Sequence, residues 1–96
     1  MNAGRLIAFE GLDGSGKSTQ LERLAARLRT AGCDVVTTCE PTGFASGQRI
    51  REMARSSQAL APEEELRWFV EDRRVHVAEV IAPALRAGQI ALTDRY

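Results

Sequence analysis

Apolar residues along this chain follow three different patterns, and each predicts a different kind of element. Leu6-Ile7-Ala8-Phe9 is a short apolar run without alternation, the pattern of a strand covered on both faces in a parallel sheet. From Lys17 the period lengthens. Leu21, Leu24, Ala25 and Leu28 recur at helical spacing, with Glu22, Arg23, Arg27 and Arg29 opposite, which predicts a helix from about Lys17 to Thr30 closed by Gly32 in a left-handed conformation. Asp34-Val35-Val36-Thr37-Thr38 is short and β-branched, a second strand. Residues 39–47 contain Pro41, Gly43 and Gly47 and hold no regular period; Ser46 caps a short helix to about Arg55, and a loop of Ser and Gln follows. Pro62 opens a longer helix to about Ile81, with Glu63-Glu64-Glu65 where acids suit the helix dipole, and Pro83 bends or ends it. Gly88 closes the helical region, and Gln89-Ile90-Ala91-Leu92-Thr93 forms a third strand that delivers Asp94-Arg95-Tyr96.

Strands joined by helical crossovers predict an α/β fold, a parallel sheet with helices on both faces, in one domain over residues 1–96. A chain of 96 residues with 44% hydrophobic and 27% charged positions has an ordinary soluble-globular composition, which argues against disorder and membrane spanning. Thirteen cations balance thirteen anions, so no basic field exists to hold a nucleic acid. The apolar stretch before Glu10 is too short for a signal peptide or membrane anchor, so a cytoplasmic location is expected. Cys33 and Cys39 are too few and too far apart for a metal cluster or redox pair and read as packing thiols. His76 is the only histidine and reads as a helix-surface residue.

The stretch between the first strand and first helix carries the chemistry. Gly11-Leu12-Asp13-Gly14-Ser15-Gly16-Lys17-Ser18 fits G-x-x-x-x-G-K-[ST], a loop whose glycines let successive N–H groups face phosphate oxygens at a helix start. Lys17 is the only lysine among thirteen cations, a compact ammonium kept where the β- and γ-phosphates of a triphosphate would lie. Ser18 would reach Mg²⁺, and Thr19 continues the loop into the helix. A Gly-rich turn that merely joins two elements is the plain alternative, and the order strand, loop, amphipathic helix argues against it.

The long helix holds one anomaly. Leu66, Phe69, Arg73, Val77, Val80 and Ala84 fall on one stripe, with a guanidinium in its middle. A buried, unpaired Arg costs several kcal/mol, so either a carboxylate in the chain or a ligand must meet Arg73. With Phe69 one turn earlier, it makes a platform and hydrogen-bond fork suited to a planar base.

Taken in order, residues 9–20, Glu40-Pro41, Phe69 with Asp72-Arg73, Ala82-Pro83-Ala84-Leu85 with Gly88, and Asp94-Arg95-Tyr96 resemble thymidylate kinases over almost the whole chain. The resemblance implies a P-loop NTPase-type sheet and transfer of the γ-phosphoryl group of ATP to dTMP, with Mg²⁺ as cofactor, in a homodimer. It implies that Gly11 to Thr19 bind ATP, and that Lys17, Asp13, Arg95 and Asp94 serve catalysis. Asp13 would contact the deoxyribose 3′-hydroxyl, Phe69 would stack on thymine, Arg73 would bond its exocyclic oxygen, and Arg95 would hold the acceptor phosphate. Glu40 and Pro41 would floor the acceptor site, with Ser18 and Asp94 at the metal. Three positions depart from the pattern: Cys39 stands where many relatives have arginine, Thr42 where bacterial members commonly have glycine, and Gly14 where some have a basic residue. The family continues for about as many residues again, with a lid, an adenine loop and further strands, so the sheet is expected to be truncated after its third strand. Two other readings stay open: a non-catalytic nucleotide- or phosphate-binding fragment, and a P-loop kinase for a different nucleotide.

Overall fold

The structure is a computed structural model, and it describes residues 3–12, 14–56 and 60–96. Three strands, β1 (Arg5–Phe9), β2 (Val35–Cys39) and β3 (Ile90–Asp94), form one parallel sheet in the order β1-β3-β2. The last strand in sequence is therefore central. Its Ala91, Leu92 and Thr93 are buried, and it carries no charge before Asp94. The register sets Phe9, Asp94 and Cys39 side by side at the C-terminal ends of the three strands.

Helix α1 (Lys17–Thr30) covers one face, where Leu21 and Ala25 pack with Val35 and Leu92, and Phe9, Leu24, Leu28, Cys33 and Ile90 close around them. Its C-terminal end has Gly32 at φ 91°, the left-handed closure read from the sequence. The strand β1 departs from expectation. Arg5, Ile7 and Ala8 are exposed, because β1 is hydrogen-bonded along one edge only and α1 lies chiefly over β3 and β2.

A second, continuous helical run consists of α3 (Pro62–His76), a π-helical turn (Val77–Ile81) and α4 (Ala82–Arg86); α4 packs on β3, and His76 at the end of α3 reaches Thr38 of β2. Glu63-Glu64-Glu65 occupy its first turn behind Pro62, as expected. The run goes on past Pro83, which neither ends it nor needs a break. Proline lacks the N–H that would reach back one turn, and its ring crowds the carbonyl four residues earlier; the wider π-turn ahead of it relieves both.

That turn also moves the buried stripe. The buried positions are Asp72, His76, Ile81 and Ala84, with a spacing of five across the π-turn, whereas Leu66 is 64% exposed and Phe69 44%. A uniform helical period meets Ala84 correctly and is one residue out upstream, at Arg73 and Val77 in place of Asp72 and His76.

Helix α2 (Ala45–Arg55) lies against α3. Phe44, not Ser46, is its N-terminal boundary residue, with no side-chain cap; Ser46 lies inside the first turn and donates to Asp72 Oδ1 at 2.7 Å. Gly47 is buried there with no room for a side chain, since a Cβ on it would come within 2.0 Å of the Thr42 carbonyl oxygen. Among the described residues no helix is long and apolar enough to cross a membrane.

Candidate functional site

The loop from β1 into α1 turns on Gly16, whose φ of 86° lies in the left-handed region that side chains avoid. Ser15 N–H donates to the Leu12 carbonyl at 3.1 Å, and Leu12, Gly14, Gly16, Lys17, Ser18 and Thr19 line a cavity of about 340 Å³. No side chain caps the start of α1 and no acid sits in its first turn, so the positive end of the helix faces this cavity. The candidate residue Asp13 lies outside the described residues.

Because β3 runs beside β1, Asp94 ends opposite the loop. Lys17 Nζ donates to Asp94 Oδ1, and Ser18 Oγ donates to Oδ2 at 3.1 Å. The Lys17 hydrogen bond holds the Asp94 carboxyl below the usual carboxylate range, Ser18 adds to this, and burial opposes it. Three residues separated by up to 77 positions in sequence thus meet at one point. Ser18 and Asp94 present hard oxygen donors side by side, and a neighbouring cavity of about 400 Å³ reaches Ser18, Thr37, Cys39 and Asp94. Two protein oxygens with space beside them suit Mg²⁺, which keeps waters and takes further ligands from phosphates. Among the described residues no group of three or more His, Cys, Asp or Glu could hold a metal by itself.

A second cluster forms where β2 ends. The Glu40–Pro41 peptide is cis, and Glu40 N–H donates to the Asp94 carbonyl at 3.0 Å. The Glu40 carboxylate receives Arg73 Nε at 2.9 and 2.7 Å and His76 Nδ1 at 2.6 Å. A carboxylate of this chain therefore meets the guanidinium. The Glu40 bond, against the effect of burial, holds Arg73 still more firmly charged, and its Cζ lies 3.5 Å from the centroid of the Tyr96 ring. His76 is 0% exposed, with Nε2 2.7 Å from Thr38 Oγ1; it belongs to the interior, not to the helix surface, because the π-turn sets the buried face on its register.

Pro41 offers its carbonyl to Arg51 and, at 3.5 Å, to the Cys39 thiol. Both cysteines are free and half-buried, Cys33 against the α1 core and Cys39 beside this loop. Thr42 follows, and its hydroxyl donates to Asp72 Oδ1 at 2.6 Å while its N–H donates to Oδ2 at 2.9 Å. Burial pushes the Asp72 carboxyl up, yet the hydrogen bonds from Thr42 and Ser46 outweigh it and leave the group below its ordinary range. Asp72 is thus the clamp on the 41–46 loop.

Arg95 sits just past β3 with φ 70°, a left-handed conformation that costs a non-glycine residue about 1–2 kcal/mol. Its N–H donates to the Phe9 carbonyl at 2.9 Å, and Thr93 Oγ1 donates to its carbonyl at 2.7 Å, which hold it there. Phe69 presents an exposed ring one turn before Arg73. Sequence reasoning did not single out Asp72, His76 and Tyr96 as site residues. The signal for the first two was a pair of polar residues at helical spacing, one position before the apolar stripe.

The thymidylate kinase family model matches residues 9–96. The thymidylate kinase of Desulfotalea psychrophila is 50% identical over 95 residues, covering 99% of this chain and 47% of that protein. That of Pseudomonas entomophila is 48% identical over 96 residues, covering 98% of this chain and 46% of that protein. The crystal structure of thymidylate kinase from Ehrlichia chaffeensis aligns with a TM-score of 0.86 at 36% identity, over 98% of this chain and 55% of that one. The chain spans about half the length of the curated relatives it matches. Matched in sequence from residue 9 to residue 96 and in fold over nearly its whole length, it belongs to the thymidylate kinase family.

Proposed function

We propose that these 96 residues supply the donor-phosphate cradle and the acceptor site of an ATP:dTMP phosphotransferase, as the N-terminal part of a single kinase domain. The observation that carries this is the double use of Asp94: its carboxylate meets Lys17 and Ser18, and its carbonyl meets the Glu40 backbone. Phosphate loop and guanidinium cluster thereby share one strand end.

The loop amides and Lys17 would bind the β- and γ-phosphates, Lys17 exchanging Asp94 for phosphate oxygen. Ser18 and Asp94 would hold Mg²⁺, which supplies neutralisation of the phosphate charge. Phe69 would stack on thymine while the guanidinium of Arg73, fixed on its Nε side by Glu40, offers its remaining N–H groups to the base oxygen. Asp13 would meet the 3′-hydroxyl, and Arg95 the acceptor phosphate above a floor of Glu40 and Pro41. No general base is required, because the attacking phosphate oxygen is already ionised; positioning and charge do the catalysis. A homodimer rests on the family resemblance, and a cytoplasmic location on the sequence reading above.

The length relative to its relatives keeps a second reading in play, in which these residues bind nucleotide without turnover. Coupled ADP-release with dTMP, measured beside calorimetric ATP binding on the gene product carrying residues 1–96, separates the two. Release dependent on dTMP supports the kinase; ATP binding with no release by any nucleoside monophosphate supports the binding role.

A further inference from the structure

Arg73 alone could not hold a defined position for a base. It stands on α3 among side chains that are partly open, and a long guanidinium side chain has many rotamers to lose. Its Nε is fixed by Glu40, so the question passes to what fixes Glu40. That carboxylate follows the last residue of β2 and precedes a proline, and its second neighbour is the imidazole of His76 at 2.6 Å. The ring is fully buried, and its other nitrogen lies 2.7 Å from Thr38 Oγ1 on the sheet. A carboxylate only accepts, so Nδ1 donates, and the Thr38 hydroxyl serves Nε2. The result is a chain of contacts from sheet to base-reading group: Thr38, His76, Glu40, Arg73.

We propose that His76 is a positioning residue for substrate specificity, holding the Glu40 carboxylate, and through it Arg73, in the orientation that reads a pyrimidine monophosphate. This rests on the reading of Arg73 as the base-binding group. Its energetic content is a hydrogen bond between a buried donor and a charged acceptor, a class in which losing one partner costs roughly tenfold or more in the equilibrium it supports. Filling the volume of the ring is not sufficient. What matters is a donor at the place of Nδ1.

Two amides separate the roles of the two ring nitrogens. In His76→Asn the amide nitrogen falls near the position of Nδ1 and can still donate to Glu40; in His76→Gln it falls near Nε2 and reaches only Thr38. Steady-state kinetics of the gene product carrying residues 1–96 should show KM for dTMP within about threefold of the parent for His76→Asn, but raised about tenfold for His76→Gln, with KM for ATP unchanged in both. Glutamine is the closer match in volume, so a packing role predicts the reverse order. The Arg73 Nε–H proton resonance gives a readout that needs no substrate: downfield in the parent and His76→Asn, moved upfield in His76→Gln. Thr38→Val, nearly isosteric, frees the ring from the sheet and should also move that resonance, which keeps the test open should a His76 variant fail to fold. An Arg73 resonance indifferent to all three substitutions, or Gln and Asn raising KM equally, overturns the proposal. Arg73→Ala is run alongside: if it leaves dTMP kinetics intact, the base-reading role of Arg73 fails on its own, while the resonance still decides whether His76 positions the guanidinium.

Discussion

The N–H of Glu40 donates to the carbonyl of Asp94 at 3.0 Å, while the carboxylate of the same Asp94 accepts from Lys17 and Ser18. One residue at the end of β3 therefore holds the phosphate loop with its side chain and the Arg73 cluster with its backbone. The register that pairs Cys39 with Asp94 makes this possible, since it brings the residue after β2 level with the end of β3. Substitutions that spare the Asp94 backbone should separate the two functions.

Asp94→Asn keeps the carbonyl and the shape but removes the charge that Lys17 and Ser18 meet. Phosphoryl transfer at saturating ATP and Mg²⁺ should fall by about 10² or more, as for loss of a charge at the transferring group, with the fold retained. Lys17→Ala should weaken ATP binding or transfer comparably. Turnover equal to the parent in either variant would remove that residue from the site.

Arg73 is held on its Nε side by Glu40 and lies over Tyr96, two contacts that depend on a planar, forked cation. Arg73→Lys should therefore behave almost as Arg73→Ala, raising KM for dTMP well above any change for ATP. Side-by-side kinetics with dTMP and a purine monophosphate test it. Full rescue by lysine would show that charge alone is being used.

How much of this was visible in sequence can be argued from single residues. The glycine loop between β1 and α1, and α1 itself, were, because a glycine pattern between an apolar strand and an amphipathic helix is local information. The burial of His76 and Asp72 was not, because a π-turn shifts the helix face and no uniform period anticipates one extra residue. Ser46 looked like a cap by residue type, but the buried carboxylate of Asp72, 26 residues further along the chain, takes its hydroxyl. The carboxylate partner of Arg73 was required by electrostatics without being identified; only the fold names Glu40. Thr42, whose residue type gave no such hint, holds Asp72 through both its hydroxyl and its N–H.

Asp72 makes an acid-stability prediction whose sign follows from its depressed titration. Its charged form is favoured in the folded state, so the stabilisation is present above the ordinary carboxylate range and is lost as pH falls through the lowered folded value. Asp72→Asn should destabilise the protein at neutral pH, by roughly 1–3 kcal/mol, and weaken the pH dependence of unfolding below about pH 4. Urea titrations at neutral and acid pH measure both. An unchanged acid limb would mean that other carboxylates carry it.

Gly47→Ala tests the contact between α2 and the loop at Thr42. Alanine normally favours a helix over glycine by about 1 kcal/mol, yet here its methyl would lie 2.0 Å from the Thr42 oxygen, a backbone atom that cannot swing aside. The overlap should win and cost roughly 1–3 kcal/mol, with the Thr42 amide resonance displaced. A gain in melting temperature would mean that the loop moves away more freely than its bonds to Asp72 suggest.

The last prediction concerns the open side of the sheet. In the order β1-β3-β2, β1 pairs on one edge only, and its Ile7 is exposed beside Arg5 and Ala8. A parallel strand with an unpaired edge offers backbone donors and acceptors to any other extended chain, and apolar side chains next to that edge make the pairing adhesive. Exposed Leu66, Val70 and Phe69 on α3 add a second apolar surface. The 96-residue chain studied alone should therefore be marginally stable or self-associated at micromolar concentration. If the β1 edge is the cause, Ile7→Lys should shift the sedimentation distribution toward monomer, since charges at strand edges oppose pairing, whereas Val70→Lys should do so if the α3 surface is the cause. The two substitutions lie on different elements and can be compared directly. A parent chain that sediments as a stable monomer at 100-fold varied loading, about 1 to 100 μM, would show that three strands and their helices suffice to close this fold.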